Sequence, residues 1–129
     1  MSGEAAQKPR ALLAQQREAI EARLASFTAQ AHANTDPLAL HDGVLELLMD
    51  MSAHFGFEES LMEAGGFASV EHHRLQHLAM MIELGLLLDR LDGAARLDHN
   101  LMRAIDFFGA WYRRHVASSD RVLNDWLPE

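Results

Sequence analysis

The chain has no cysteine among its 129 residues. That absence excludes disulfides, thiolate nucleophiles, zinc fingers and Cys-ligated iron–sulfur clusters together. It fits a reducing compartment, and the expected location is cytoplasmic. Proline is scarce, at Pro9, Pro37 and Pro128 only, and β-branched residues are few. Strand signals are therefore missing. No apolar run reaches the length of a membrane-spanning helix; the best, residues 84–88, is interrupted by Gly85. Residues 1–10 lack the apolar segment of a signal peptide and read as a polar lead-in. Positive charge is also short: 11 Lys+Arg stand against 19 Asp+Glu, a net charge of −8. An acidic chain repels phosphate backbones, so nucleic acid is not an expected partner, and neither is a membrane.

Hydrophobic residues make up 49% of the chain and charged residues 23%, a composition that supports one folded domain, here over residues 11–129. At this size a chain buries about two-thirds of its unfolded surface and holds a core without staples. Two counts are high: eight His and seven Met, beside only nine aromatics.

Long helical periodicities fill the sequence. A first segment, from about Pro9 to His32, carries Leu13, Arg17, Ile20, Leu24, Phe27 and Ala31 on one stripe. Asp36-Pro37 is a cap followed by a first-turn proline. A second segment runs from about Pro37 to Ala64 with Val44, Leu47 or Leu48, Met51, His54, Glu58 and Leu61 or Met62 in phase, and Gly65-Gly66 stops it. A third begins near Ser69, with Val70, His73, His77, Met80 or Met81, Leu84, Leu87 or Leu88 and Leu91 in phase, and closes at Asp92-Gly93. A fourth, from about Ala94 to Val116, has Leu97, Leu101, Ile105, Phe108, Trp111 or Tyr112, and His115. Ser118-Ser119-Asp120 reads as a second capping signal before a short tail helix over residues 121–127. Four amphipathic helices with short connections predict an all-α, up-down-up-down four-helix bundle with a C-terminal tail helix.

The seams of that bundle are not wholly apolar. His54, Glu58, His73, His77 and His115 fall in phase with Leu and Met. Burying neutral imidazoles and a carboxylate without partners costs a few kcal/mol each. A metal ion repays that cost, and bundle cores are where such sites are built. His54 and Glu58 stand one helical turn apart on one face, as do His73 and His77. The step from His115 to Asp120 is five residues, which leaves one helical face unless the helix bends or ends there. Either an HxxxH or an HxxxE alone is common on helix surfaces. Three such pairs on three helices, all in phase with the core, point to a metal. Imidazole with carboxylate suits iron, manganese, zinc or nickel.

The residues His54-Phe55-Gly56-Phe57-Glu58-Glu59, Met62, His73-x3-His77 and Trp111-x3-His115-x4-Asp120, with 15 positions from Glu58 to His73, resemble the hemerythrin family in its bacterial form. The resemblance extends from about Ala11 to Leu127. It implies a non-haem di-iron centre with an oxo or hydroxo bridge that binds dioxygen. On that resemblance His73, His77 and His115 hold the first iron, His54 sits on the second, and Glu58 and Asp120 bridge them. One feature departs. The family's first-helix His is missing from Leu13-Ala14-Gln15-Gln16-Arg17-Glu18, and the apolar phase puts Arg17 at its place. Arginine stays protonated and is no ordinary ligand. Gln16 in the neighbouring register, or Glu21 one turn on, is an alternative, and the second iron is otherwise left with open positions. Arg17 either turns inward as a cation near that iron or runs outward along its stem. Tyr112, where the family usually carries leucine, either faces the ligand cavity, with Trp111 beside it, or sends its hydroxyl to solvent. Of the remaining His residues, His32, His41 and His99, near termini or loops, read as solvated, and His72 points elsewhere on its helix than His73.

The function implied is binding or sensing of dioxygen or a related small ligand such as peroxide, with a separate partner if the protein signals. The alternatives are a peroxide- or O2-reducing di-iron enzyme, a metal-buffering module, and a metal-free bundle.

Overall fold

A proline in the first turn opens each of the first two helices, where its missing N–H costs nothing. In the computed structural model, which describes residues 8–33 and 36–128, these are α1 (Pro9–His32) and α2 (Pro37–Gly65). Most of the expected lead-in, residues 1–7, lies outside the described residues, and Pro9 and Arg10 already belong to α1. Asp36 caps α2 by accepting a hydrogen bond from the Leu38 N–H at 3.0 Å. Gly66, at φ 70°, supplies the left-handed residue that ends it. At Gly65 any side chain would run into the Trp126 ring, so this glycine serves a close approach.

Helix α3 spans Val70–Leu91 and α4 spans His99–His115. The fourth helix starts later than its apolar phase predicts because Asp98 is the cap, accepting from the Leu101 N–H at 2.7 Å. At the other end the sequence reading needs correction. Ser118-Ser119-Asp120 does not interrupt the chain. A π-helical turn, Val116–Asp120, leads directly into α5 (Arg121–Trp126), and Asp120 caps nothing with its side chain.

Helix α1 packs on α2 and α4, and α3 packs on α2 and α4. Neighbours in sequence are neighbours in space, which is the expected up-down-up-down bundle. Among the described residues no helix is long and apolar enough to cross a membrane.

The stripes meet as two separate apolar clusters. The larger contains Ile20, Leu24, Phe27, Leu47, Met51, Phe55, Met80, Leu84, Phe108 and Tyr112 among others. The smaller holds Leu13, Met62, Phe67, Leu123 and Leu127. Each long stretch of chain crosses from one to the other through a polar layer. On α1 that layer is Arg17, between Leu13 and Ile20. On α2 it is His54 and Glu58, on α3 His73 and His77, and at the end of α4 His115 and Asp120.

Candidate metal centre

Six ionisable side chains of this layer are buried: His54, Glu58, His73, His77, His115 and Asp120, each no more than 4% exposed. Five of them converge. One donor atom from each of Glu58, His73, His77, His115 and Asp120 lies within 4.8 Å of every other. The inner oxygen of Glu58, Oε1, is 3.0 Å from His77 Nε2 and 3.4 Å from His73 Nε2. The inner oxygen of Asp120, Oδ1, is 2.9 Å from His115 Nε2 and 3.1 Å from His73 Nε2. None of these atoms makes a hydrogen bond of acceptable geometry, although all are buried. The donors aim at a shared point rather than at one another. Buried polar atoms left in that state need a reason, and a cation bound by three imidazoles and two carboxylates supplies it.

The π-helical turn is what admits Asp120. In a straight α-helix a residue five positions beyond His115 would point about 140° away from it. The wider turn carries His115 and Asp120 round to the same face, and π-turns are frequent where a helix builds a site. Ser118 closes the turn locally, its Oγ donating to the Arg114 carbonyl at 2.7 Å.

Three of the imidazoles are oriented from behind. His77 donates through Nδ1 to Glu59 Oε2 at 2.9 Å, His115 through Nδ1 to Gln76 Oε1 at 2.8 Å, and His54 through Nδ1 to Gln16 Oε1 at 2.7 Å. In each ring the proton on Nδ1 leaves the Nε2 lone pair facing inward, the tautomer a metal requires. The supports are themselves held. Arg74 Nε donates to Glu59 Oε1 at 3.3 Å, and Arg74 also pairs with Glu63 and Glu71. Gln76 Nε2 donates to His72 at 2.9 Å, which aims the Gln76 oxygen at His115. Phe55 stacks flat on His77, ring centroids 3.9 Å apart. The sequence reading did not give Glu59, Gln76 and His72 these roles. Their signal is that each lies next to a ligand position on the outer face of the same helix.

The electrostatics follow from this crowding. Burial pulls the Glu58 carboxyl up, but the His54, His73 and His77 imidazoles beside it outweigh that and hold it well below the usual carboxylate range. Burial likewise raises Asp120, and the neighbouring His115 and His73 bring it below its ordinary value. Burial works to lower His73, yet contact with Asp120 and Glu58 raises it to about 9.

Arg17 turns inward, with 13% of its side chain exposed. Its Nη2 donates to the outer oxygen of Glu58, Oε2, at 2.9 Å, and its Nε stands 3.3 Å from the outer oxygen of Asp120, Oδ2. The outward course along its stem is overturned because the two buried carboxylates attract it. His54 lies on this same side, its Nε2 3.4 Å from Glu58 Oε2, and outside the five-donor group. Glu21 is not at the site; it accepts from Arg113 Nε at 2.8 Å on the surface. Tyr112 is buried at 1% exposure, and its hydroxyl has no protein partner. Burial, with the charges of Asp120 and Glu58, drives that phenol well above its ordinary pKa. The solvent-facing alternative for Tyr112 is therefore excluded. Trp111 stands outside the cluster, half-buried, and borders a shallow surface cleft with Gln76 and His115. His32, read as solvated, is exposed and bonds Asp106 at 2.8 Å. A larger cleft of about 470 Å³, bordered by Phe67, Ser69, Ser119 and Val122, reaches His73 from solvent.

A family model described as "Hemerythrin HHE cation binding domain" matches residues 8–127. No curated protein and no solved structure matches the chain.

Proposed function

Since the chain belongs to the hemerythrin HHE cation-binding family, we propose that it is a non-haem iron protein binding dioxygen or a related small ligand. The ion would be held by His73, His77, His115, Glu58 and Asp120. The observation that carries this reading is the convergence of five buried donor atoms that make no hydrogen bond to each other. Oxygen and imidazole donors together suit iron, and an ion held by these five would have room to take an external ligand. A cleft of about 470 Å³ borders His73 on the solvent side.

The resemblance also implies a second iron on the His54 side, with an oxo or hydroxo bridge. His54 Nε2 is buried there without a hydrogen-bond partner, which favours an ion. The remaining surroundings disfavour one, because the Arg17 guanidinium already donates to Glu58 Oε2 at 2.9 Å and stands 3.3 Å from Asp120 Oδ2, a fixed cation on that side.

Anaerobic loading with ferrous iron followed by exposure to air tests the proposal. Visible absorption that depends on both iron and oxygen is expected in the natural protein, and none in His77→Ala or His115→Ala. Stable iron binding with a spectrum indifferent to oxygen, azide and peroxide would leave metal buffering as the function. An enzyme that reduces peroxide or O2 is the second reading, and the Tyr112 hydroxyl favours it. A buried donor without a protein partner, near the charges of the site, is placed to donate to a developing oxygen charge. Turnover of peroxide without a lasting oxygenated spectrum would establish it.

A further inference from the structure

We propose that the Arg17 guanidinium permanently takes the place of the second metal ion, so that the folded chain binds one metal ion, not two. The inference rests on the three-His site being a metal site.

The two carboxylates are divided in the same way. Each turns its inner oxygen to the three-His group and its outer oxygen toward Arg17, Glu58 Oε2 through a hydrogen bond of 2.9 Å and Asp120 Oδ2 through an ion pair of 3.3 Å. A bridging carboxylate does the same between two cations, and here one of the cations is a side chain. The charges agree with one ion. Glu58 and Asp120 supply two negative charges, Arg17 returns one positive, and a single divalent ion leaves a net charge of +1. A second divalent ion beside the guanidinium would leave +3 before any bridging anion, and would set two like charges side by side in a buried layer where they are poorly screened. Arginine cannot relieve this by losing its proton.

Swinging Arg17 out is also opposed by the way α1 is seated. Leu13 and Ile20, on either side of it, are 0% and 1% exposed. The adjacent Gln16 accepts from His54 Nδ1 at 2.7 Å, so consecutive α1 residues grip consecutive parts of the α2 site. His54 then serves as a buried neighbour of Glu58 rather than as a metal ligand, in keeping with its place outside the converging five.

The test is the metal-to-chain ratio of the full chain, loaded anaerobically with excess ferrous iron, desalted, and measured by elemental analysis. Electron paramagnetic resonance after oxidation is the second readout, since an isolated ferric ion is active and an antiferromagnetically coupled ferric pair is silent. The natural protein is expected to hold one iron with an active signal. Arg17→Lys, which keeps the cation, should also hold one. Arg17→His, which replaces the cation with a donor, should hold two, with the signal lost. Two irons in the natural protein would overturn the inference and leave the proposed function standing. One iron in Arg17→His would overturn the role given to Arg17. No iron in any form would overturn the three-His site itself, and the inference with it.

Discussion

His115 and Asp120 are five residues apart in sequence, yet His115 Nε2 lies 2.9 Å from Asp120 Oδ1 because one π-helical turn separates them. The contact depends on the number of residues in that turn. Insertion of one alanine between Ser118 and Ser119 should rotate Asp120 by about 100° and withdraw it from the cluster. Iron affinity, measured by chelator competition, should fall by more than the roughly 10–100-fold typical of losing an outer-shell partner. Unchanged affinity would show that Asp120 is not a ligand.

Glu59 should matter to the metal without touching it. It is the acceptor behind His77, and it is fixed by Arg74. Glu59→Ala should weaken metal binding roughly 10–100-fold while the helical content of the protein is unchanged. Glu59→Gln keeps an oxygen in place and should recover part of the loss. Equal affinity in all three proteins would mean that His77 needs no support.

Metal should also hold the fold together. The five converging donors come from α2, α3 and the α4–π segment, and binding confined to the folded form stabilises it by mass action. At free metal about a thousandfold above Kd the gain is about 4 kcal/mol. For a domain of this size that corresponds to roughly 10–20 °C in Tm. Chelation should therefore lower Tm by about that amount, as seen by calorimetry.

In the metal-free protein stability should fall on both sides of a mildly acidic optimum. His73 is raised from 6.5 to about 9, so its contribution is complete below 6.5 and is lost as pH climbs through 9. Glu58 and Asp120 are lowered, so theirs is present above the ordinary carboxylate values and is lost as acid reaches their folded-state values. Metal reverses the alkaline limb, because a ligating His73 must be neutral. Metal binding near pH 8 should release a proton from His73, measurable by calorimetry in buffers of different ionisation enthalpy. Affinity that is constant between pH 7 and pH 9 would contradict this.

Tyr112→Phe separates stability from ligand chemistry. The hydroxyl is buried with no protein partner, so its removal should leave the metal-free protein at least as stable in urea unfolding, by up to about 1 kcal/mol. The same change should weaken azide binding to the iron-loaded protein if the phenol donates to the ligand. A clear loss of stability would instead mark the hydroxyl as a structural group.

The bundle was legible because apolar residues recur at helical spacing, and five of the six buried polar residues because they interrupt that spacing in phase; Asp120 falls out of phase and was reached only through the family resemblance. Trp111 and Tyr112 were not separable, since both lie within a turn of His115; the structure turns Tyr112 inward and leaves Trp111 at a surface cleft. The course of Arg17 was not legible either. A guanidinium on an apolar stripe usually reaches for water, and only the meeting of Glu58 and Asp120, 62 positions apart in sequence, gives it an inward partner. The π-turn was hidden for a similar reason. Two serines before an aspartate read locally as a cap, whereas the aspartate is drawn into the core by imidazoles on other segments.

The division of the apolar interior into two clusters sets how the protein comes apart. Among the described residues the smaller cluster has five buried members, with Phe57, Leu61 and Val70 packed against them, and it closes over the six-residue α5, with Trp126 packed on Phe67. Without an ion in the layer between them, that end is coupled to the rest only through the crossing helices and the contacts of Arg17 with Glu58 and Asp120. Its amides should exchange with deuterated water through brief local openings, well ahead of those around Leu47 and Leu84. A bound ion would join the two ends into one cooperative unit and slow that exchange toward the global rate. Whether the protein is loaded would then be written in the lifetime of its C-terminal amides, where a binding partner or protease could read it.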